Sequence, residues 1–298
     1  MALEANAYTT TTAGTDGTIP NLYDEVAEKY LYEKEALRPL GVDKSAMLLG
    51  RPGDNLTVYK DTAFSVSALS EGTDTPVSAM SWDSVNLTVS WYGDAKQISK
   101  EALSYAFDFV WNDLRRQAAE ALAINRDTVI MTELLTTTST AIYPRDGSGV
   151  AYTSSTIVAT AVLSYEQLAE VRAEMRADQR TMKYVIVSPD QEKSLLSDDK
   201  FISADYTTDG AAQSGVLGRM LGATFISHTS VQTVTENGVT VNQAIALGER
   251  PFVYAQKVSP VFEFDEETKR QRAVTFHYYE AFGVQNLHDE SIVIVKSA

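Results

Sequence analysis

The sequence lacks cysteine and contains only three histidines among its 298 residues. Disulfide bonds and thiolate chemistry are therefore excluded, and a zinc site could draw only on histidines and carboxylates. The histidines, His228, His277 and His288, share no metal-binding spacing such as HExxH. We therefore expect them to be structural and predict neither a metal nor a cofactor.

Long apolar runs and positive charge are also scarce. No apolar run reaches the roughly 18 residues that a membrane span needs. The N-terminal stretch MALEANAYTTTT lacks the basic and apolar regions of a secretory signal. The chain carries 25 lysines and arginines against 40 aspartates and glutamates, a net charge of −15. This balance disfavours a protein whose main task is to grip nucleic acid in a basic groove.

Phosphate-binding loops and nucleophile motifs are missing as well. Gly215, Gly218 and Gly222 fit neither the dinucleotide-binding nor the P-loop spacing, and we interpret them as a tight helix-to-strand turn. No G-x-S-x-G motif is present. The acidic residues of 263–267 and the basic residues of 269–272 predict a solvated charged turn, with a calcium site or a salt-bridged contact between subunits as alternatives. The sequence therefore does not favour an enzyme.

Glycine and proline are absent from Asp94–Tyr143, although both are common on either side. This stretch predicts one long helix from about Ser99 to Leu135, with Ser99 as the N-cap and Glu101 in the first turn. Such a helix would span roughly 50 Å. Because aromatic residues lie on several of its faces, we interpret it as a beam along an elongated subunit rather than a coiled-coil arm. Its apolar or small stripe comprises Leu103, Phe107, Val110, Leu114, Ala118, Ala121, Ile124, Thr128, Met131 and Leu135.

Two segments before this helix alternate between apolar and polar residues, Asn55–Lys60 and Val85–Tyr92. Between them lies a small, polar stretch, Ser65–Trp82, which contains glycine and proline. We predict a long β-hairpin with a polar tip. Because a two-stranded hairpin cannot bury its own faces, we expect it to need a partner surface.

The flanking segments mix helix and strand signals. Residues 1–20 are rich in threonine, alanine and glycine and predict an extended arm, and Leu22–Leu37 predicts a short amphipathic helix. The pattern Ser164–Gln167 is a capping box that predicts a helix to about Arg180. Tyr184–Val187 then predicts a buried strand.

The C-terminal part of the chain has the strongest turn signal. Asn237-Gly238 predicts a hairpin that joins Val231–Thr235 to Val239–Ala246. Further strands are expected at Val261–Phe264, Ala273–Tyr279 and Ile292–Val295, with a weaker candidate at Val284–Leu287.

Five local sequences carry a family resemblance, and they are Lys96–Leu103, Tyr184–Asp190, Gly218–Ser227, Arg272–Gly283 and Ser291–Val295. In this order they resemble the major capsid protein family of tailed bacteriophages, whose Hong Kong 97-type fold is shared by encapsulin shells. The order of the elements resembles that family as well. It runs from a loose arm through a two-stranded loop and a long helix to terminal strands.

The resemblance implies an α+β, Hong Kong 97-like capsid fold with a long spine helix. It divides the chain into an N-terminal arm (1–49), an extended β-hairpin loop (50–93), the spine helix with the first part of a peripheral domain (94–143), an axial domain (144–260) and the closing strands of the peripheral domain (261–298). The extended loop would lie on a neighbouring subunit, with Trp82 as the anchor. Its candidate contacts are Val66, Leu69, Val77, Met80 and Trp82.

The resemblance also implies a function, that of a coat protein that assembles in the host cytoplasm into an icosahedral shell of hexamers and pentamers around double-stranded DNA. The expected partners are copies of itself, a separate scaffolding protein, a portal, an optional decoration protein, and DNA that it contacts weakly and without sequence preference. No membrane is expected. Lys60 is the only lysine between Arg51 and Ala95, so covalent crosslinking of the loop is not assumed.

Two other functions are weighed against a viral shell. An encapsulin-like compartment would use the same fold to hold a cargo enzyme, and the contents of purified particles would distinguish the two. A secreted β-rich adhesin would have a different fold. The missing signal peptide and the long helix disfavour the adhesin, and the local sequences favour the phage shell over the compartment.

Overall fold

The computed structural model describes residues 36–49, 52–60, 66, 68, 77, 82–99, 109–198, 218–267 and 273–298. The expected arm, and all of the expected helix Leu22–Leu37 except its last two residues, lie outside these ranges. No helix within them is long and apolar enough to cross a membrane.

The described chain alternates between helices and strands. Its α-helices are α1 (Ser45–Leu48), α2 (Phe109–Leu134), α3 (Tyr165–Ala177) and α4 (Pro189–Leu196), and short 3-10 helices lie at Arg38–Leu40 and Asp289–Ser291. Its strands are β1 (Val42–Asp43), β2 (Asn55–Lys60), β3 (Asp83–Thr88), β4 (Ser90–Ser99), β5 (Tyr184–Val187), β6 (Arg219–Met220), β7 (Ala223–Ser227), β8 (Thr233–Glu236), β9 (Val239–Leu247), β10 (Phe252–Glu267), β11 (Ala273–Asn286) and β12 (Ile292–Ser297).

The strands form three sheets. A four-stranded sheet has the order β1-β10-β11-β4, with β1 parallel to β10 and the other pairs antiparallel. A six-stranded sheet has the order β12-β9-β5-β7-β6, with β8 also paired to β9. Strands β2 and β3 form a separate two-stranded sheet.

Strand pairing joins segments in a way that the expected domain ranges do not follow. β12 lies in the six-stranded sheet with β5 and β9, although it belongs to the range 261–298 that was assigned to the peripheral domain. Conversely, β10 begins at Phe252, inside the expected axial range. The chain therefore crosses between the two sheets twice after β9, and the domain boundaries stay a prediction.

The two longest strands, β10 and β11, each extend well beyond the expected segments Val261–Phe264 and Ala273–Tyr279, and β11 also includes most of Val284–Leu287. Their register shifts between Gln256 and Val261. Pro260 lies in this interval and has no N–H to donate to a ladder. Because the register shifts, the alternation of apolar and polar residues is interrupted, and the sequence pattern does not indicate one continuous strand.

The start of the long helix differs from the prediction. Ser99 is the last residue of β4 and pairs with Ala273, so it is not an N-cap. Ten consecutive cross-strand pairs with β11 hold Ser90–Ser99 in a strand, because tertiary pairing outweighs local helix preference. The described helix, α2, has 26 residues, which corresponds to about 39 Å.

The buried face of α2 also departs from the expected stripe. Ala118 and Met131 are buried as predicted, whereas Ala121 and Thr128 are exposed. Their places on the buried face are taken by Leu122, Arg126, Asp127, Ile130 and Leu134. A stripe chosen by apolar residues alone missed this face, because two of its members are charged and find their partners elsewhere in the fold.

Helix α2 unites the two larger sheets. Its residues Ile130, Met131 and Leu134 pack with Tyr254 and Phe282 of the four-stranded sheet, and the same core includes Ile186, Ile245 and Ile292 of the six-stranded sheet. The opposite face of the six-stranded sheet is covered by Leu168, Val171 and Met175 of α3 and Leu195 of α4. The six-stranded sheet is therefore buried on both faces.

The capping box predicted at Ser164 is only half formed. The Ser164 hydroxyl accepts from the Gln167 amide at 3.4 Å, but the Gln167 side chain donates instead to the carbonyls of Ile142 and Lys296, at 3.0 Å each. A complete capping box lies at Ser188 and Gln191, at the start of α4. The helix after Ser164 ends at Ala177, earlier than predicted.

Two tight turns have positive φ at both central residues, as type I′ hairpin turns require. Asn237-Gly238, with φ of 48° and 75°, joins β8 to β9 as predicted. Leu221-Gly222, with φ of 53° and 83°, joins β6 to β7. The expected helix-to-strand turn at Gly218–Gly222 is therefore a strand-to-strand hairpin, and Gly215 lies outside the described residues.

The acidic segment Glu263–Glu267 is not a turn. It forms the end of β10 and pairs with Ala273–His277 of β11. The basic residues Lys269, Arg270 and Arg272 lie outside the described residues.

Candidate functional site

The hairpin predicted to contact another subunit is partly described. Its base, β2 and β3, pairs in antiparallel register over six residue pairs, from Asn55–Thr88 to Lys60–Asp83. The expected second strand, Val85–Tyr92, is divided, because Val89 separates β3 from β4 and β4 joins the four-stranded sheet. We call residues 61–82 the hairpin tip; the structure describes positions 66, 68, 77 and 82 of it.

The apolar face of the hairpin base packs on the subunit's own core. Leu87 is 0% exposed and shares a cluster with Val253, Ala255 and Ala281 of the four-stranded sheet. The neighbouring apolar side chains of the base are partly buried against the same cluster, and they are Leu56, Val58 and Val85. The partner surface that the hairpin was expected to need is therefore supplied, for the base, by its own chain rather than by a neighbouring subunit.

A glycine allows this close packing. A Cβ placed on Gly283 of β11 would lie 2.5 Å from the carbonyl oxygen of Thr88 and 2.7 Å from Cδ2 of Leu87. These distances are far inside van der Waals contact, so only glycine permits β3 to cross β11 at this depth. The hairpin base thus packs directly against the backbone of Gly283.

The opposite face of the base is polar and internally bonded. Two Asn-Leu-Thr sequences, Asn55–Thr57 and Asn86–Thr88, lie opposite each other. The Thr88 hydroxyl donates to Asn55 Oδ1 at 2.7 Å, and the Thr57 hydroxyl donates to Asn86 Oδ1 at 2.8 Å. A register slip of one residue would turn these polar side chains toward the core. The alternation therefore fixes the register of the base.

The hairpin tip has exposed apolar side chains at three of its described positions. Trp82 is 61% exposed, and Val66 and Val77 are each 97% exposed. The other two predicted contacts, Leu69 and Met80, lie outside the described residues. Where the structure describes them, the predicted contact residues thus form no part of the core of their own chain, and their contact with a neighbour stays a prediction.

Beside the hairpin, β4 carries a charged cluster. Lys96 Nζ lies 2.7 Å from Asp94 Oδ2, and the hydroxyl of Tyr278 donates to the same oxygen at 3.2 Å. The hydrogen bond from Lys96 is the main cause that lowers the pKa of Asp94, with partial burial opposing it. In the described part of the chain, no group of three acidic or histidine side chains is placed to hold a metal ion.

One polar link inside the subunit was not predicted from the sequence. Arg126 Nε of α2 lies 3.0 Å from both carboxylate oxygens of Glu280 on β11, and Glu280 is fully buried. Gln256 of β10 donates to the same carboxylate at 3.4 Å. Breaking a buried ion pair is costly. The Arg126–Glu280 pair therefore holds α2 to the four-stranded sheet, on which the hairpin base packs.

Residues 82–295 match a family model described as phage capsid protein. This range begins at Trp82 and includes α2 and the strands of both large sheets, except β1 and the last two residues of β12. Among curated protein sequences, none matches this chain.

Solved structures with the same fold come from several phages. A chain of Mycobacterium phage Che8 is 17% identical, with a TM-score of 0.70 over 93% of this chain and 96% of that one. A capsid chain of the cyanophage P-SCSP1u is 13% identical, with a TM-score of 0.73 over 93% and 92%. A chain from the head of Helicobacter pylori bacteriophage KHP40 is 13% identical, with a TM-score of 0.67 over 94% and 97%. At these identities the likeness shows the fold, which is the Hong Kong 97-like capsid fold that the sequence predicted.

Proposed function

Since this chain belongs to the phage capsid protein family, we propose that it is the major capsid protein of a tailed double-stranded DNA bacteriophage. It is a structural protein of the virion that assembles with copies of itself. The observation that carries this conclusion is the family match over residues 82–295, from the end of the hairpin tip to β12. The capsid fold along nearly the whole chain supports it.

We propose that the shell is icosahedral and built from hexamers and pentamers of this one chain. Closed shells of one chain require the same surfaces to meet at slightly different angles. A separate scaffolding protein, a portal and an optional decoration protein complete the particle, and assembly takes place in the host cytoplasm. An encapsulin-like compartment is not favoured, because the matching family model describes phage capsid proteins.

The hairpin tip is the proposed contact between neighbouring subunits. Its base is fixed to its own core by Leu87, whereas Trp82, Val66 and Val77 are exposed. A large aromatic side chain that is exposed on one chain is a suitable anchor for another. Leu69 and Met80 belong to the same proposed contact surface.

Assembly tests the proposed function directly. The purified full-length chain, supplied with its scaffolding protein, is expected to form closed shells that electron microscopy can image. Particles purified from infected cells should contain genome-length double-stranded DNA. A chain that stays monomeric at high concentration under these conditions, or particles that enclose a folded enzyme, would contradict the proposal.

Contact with the packaged DNA is expected to be weak and independent of sequence. A subunit with a net charge of −15 cannot neutralise many phosphates. Free subunits should therefore show little binding to duplex DNA in a mobility-shift assay at physiological salt. Tight binding that falls steeply as salt rises would contradict this expectation.

A further inference from the structure

Asp127 lies in the C-terminal half of α2 and is 1% exposed. Its carboxylate accepts hydrogen bonds from two consecutive backbone amides, Ala36 N at 3.0 Å and Leu37 N at 3.3 Å. The third partner is the His228 ring, whose Nε2 lies 3.0 Å from Asp127 Oδ2. One buried carboxylate therefore joins the long helix to the first described residues of the chain and to the residue that follows β7.

The hydrogen bonds of His228 fix its protonation. The backbone amide of Ser230 donates to Nδ1 at 3.0 Å, so Nδ1 acts as an acceptor and carries no proton. The ring proton therefore lies on Nε2 and is donated to Asp127. The backbone of His228 is held in turn by a hydrogen bond from its amide to the Val187 carbonyl at 2.9 Å. Asp127 is thus a hydrogen-bond acceptor that is linked through His228 to the six-stranded sheet.

The chain is held by its side chain at the same place. Leu37 is fully buried and packs in the core with Ile130, Met131 and Leu134 of α2. The bonds from Asp127 reach two successive peptide groups, so they determine the orientation of the backbone as well as its position. The carboxylate and the buried Leu37 side chain together fix both the point and the direction of the chain at residues 36–37.

We propose that Asp127 is a positioning residue that sets the place and the direction of the backbone at Ala36 and Leu37. This inference rests on the proposed function, in which many copies of this chain form one shell. Every copy in the shell then has the same backbone position and direction at Ala36 and Leu37.

The adjacent residue, Arg126, provides a matched control. It is 8% exposed, lies on the same turn of α2 and also makes a buried charged contact, but that contact is with Glu280 on β11. Arg126→Gln and Asp127→Asn each remove one charge from the same part of the helix. Only the second removes a bond to residues 36–37, because an asparagine oxygen can serve one amide while its NH2 group faces the other donors.

Hydrogen exchange on the unassembled full-length chain tests the proposal. In Asp127→Asn the amides of Ala36 and Leu37 should exchange roughly tenfold faster or more, beyond any change at Ile130, which reports opening of the helix core. In Arg126→Gln the three amides should change in parallel. If the two variants show the same exchange profile, Asp127 is only a stabilising residue and the proposal is overturned.

The unaltered chain provides a second measurement that does not depend on whether a variant folds. Its Ala36 and Leu37 amides should be as strongly protected as the amide of Ile130, and exchange at the rate of an unstructured peptide would overturn the proposal. Exchange is measured on single subunits. A failure to form shells therefore counts against the proposed function alone and leaves this test intact.

Discussion

The base and the tip of the hairpin are parts of one element with opposite environments. Leu87 in the base is 0% exposed and packs against Gly283, whereas Trp82, five residues earlier, is 61% exposed. The base therefore belongs to the folding of its own subunit. At the described tip positions 66, 77 and 82 the side chains are exposed, which agrees with the proposed contact between subunits. The change from buried to exposed apolar side chains takes place near the cross-strand pair Lys60–Asp83.

This difference teaches that an alternating strand does not reveal which chain covers its apolar face. Val85 and Leu87 alternate with polar residues in the way that an intersubunit strand would. Only the crossing of β3 over β11, at Gly283, shows that the cover comes from the same chain. Substitutions along the hairpin should accordingly divide into those that unfold the subunit and those that prevent assembly.

The largest effect on the subunit is expected from Leu87→Ala. Removing a fully buried leucine side chain should lower the free energy of unfolding by about 2–5 kcal/mol, which denaturant titration of the unassembled subunit would measure. Leu56→Ala, on the same face but only partly buried, should cost less. A loss below about 1 kcal/mol for Leu87→Ala would show that the base does not belong to its own core.

A smaller loss is expected from Gly283→Ala. The new methyl group would meet the Thr88 carbonyl and the Leu87 side chain, and overpacking of this kind costs about 1–3 kcal/mol. Gly147→Ala is the matched control, because a Cβ there meets no atom within 4 Å and its φ is not positive. Equal melting temperatures for the two variants would contradict the close packing of β3 against Gly283.

The smallest effect on the subunit is expected from Trp82→Ala. Because its side chain is mostly exposed, the free energy of unfolding should change by no more than about 0.5 kcal/mol, while shells should fail to form or should dissociate. Trp91→Ala removes an equally exposed tryptophan outside the hairpin. Destabilisation of the Trp82→Ala subunit by about 3 kcal/mol or more would place Trp82 in the core. Equal loss of shells in both variants would show that the tip is not the specific contact.

Local signals predicted the elements that depend on neighbouring residues. The strand Tyr184–Val187 has the predicted bounds, and the turn Asn237-Gly238 joins two strands as expected. The overall capsid fold was also predicted, from the order of such segments. These successes share a cause, since a buried strand and a type I′ turn are each encoded within a few residues.

Features that depend on distant residues could not be predicted. Arg126 finds Glu280 across 154 positions, and Asp127 finds His228 across 101. In the sequence the two charges interrupt an apolar stripe, and nothing nearby indicates that they are buried. Ser90–Tyr92 of β4 were predicted as strand, but its continuation through residues 93–99 was missed, because β11, its pairing partner, lies far along the chain. Of the candidate contact surface, exposure at positions 66, 77 and 82 agrees with an assembly role, and the contact itself remains to be tested.

The position of β12 in the six-stranded sheet has a consequence for the timing of folding. β12 pairs with β9, the Val295 backbone bridges to Ile142, and the Gln167 side chain bonds to the Lys296 carbonyl. A nascent chain on the ribosome therefore cannot complete this sheet, or fully secure the start of α3, until residues through Ser297 have emerged. Since domains fold as units during synthesis, we expect the surfaces around this sheet to mature only after translation has passed that point. Chains that are still being synthesised therefore lack a complete six-stranded sheet.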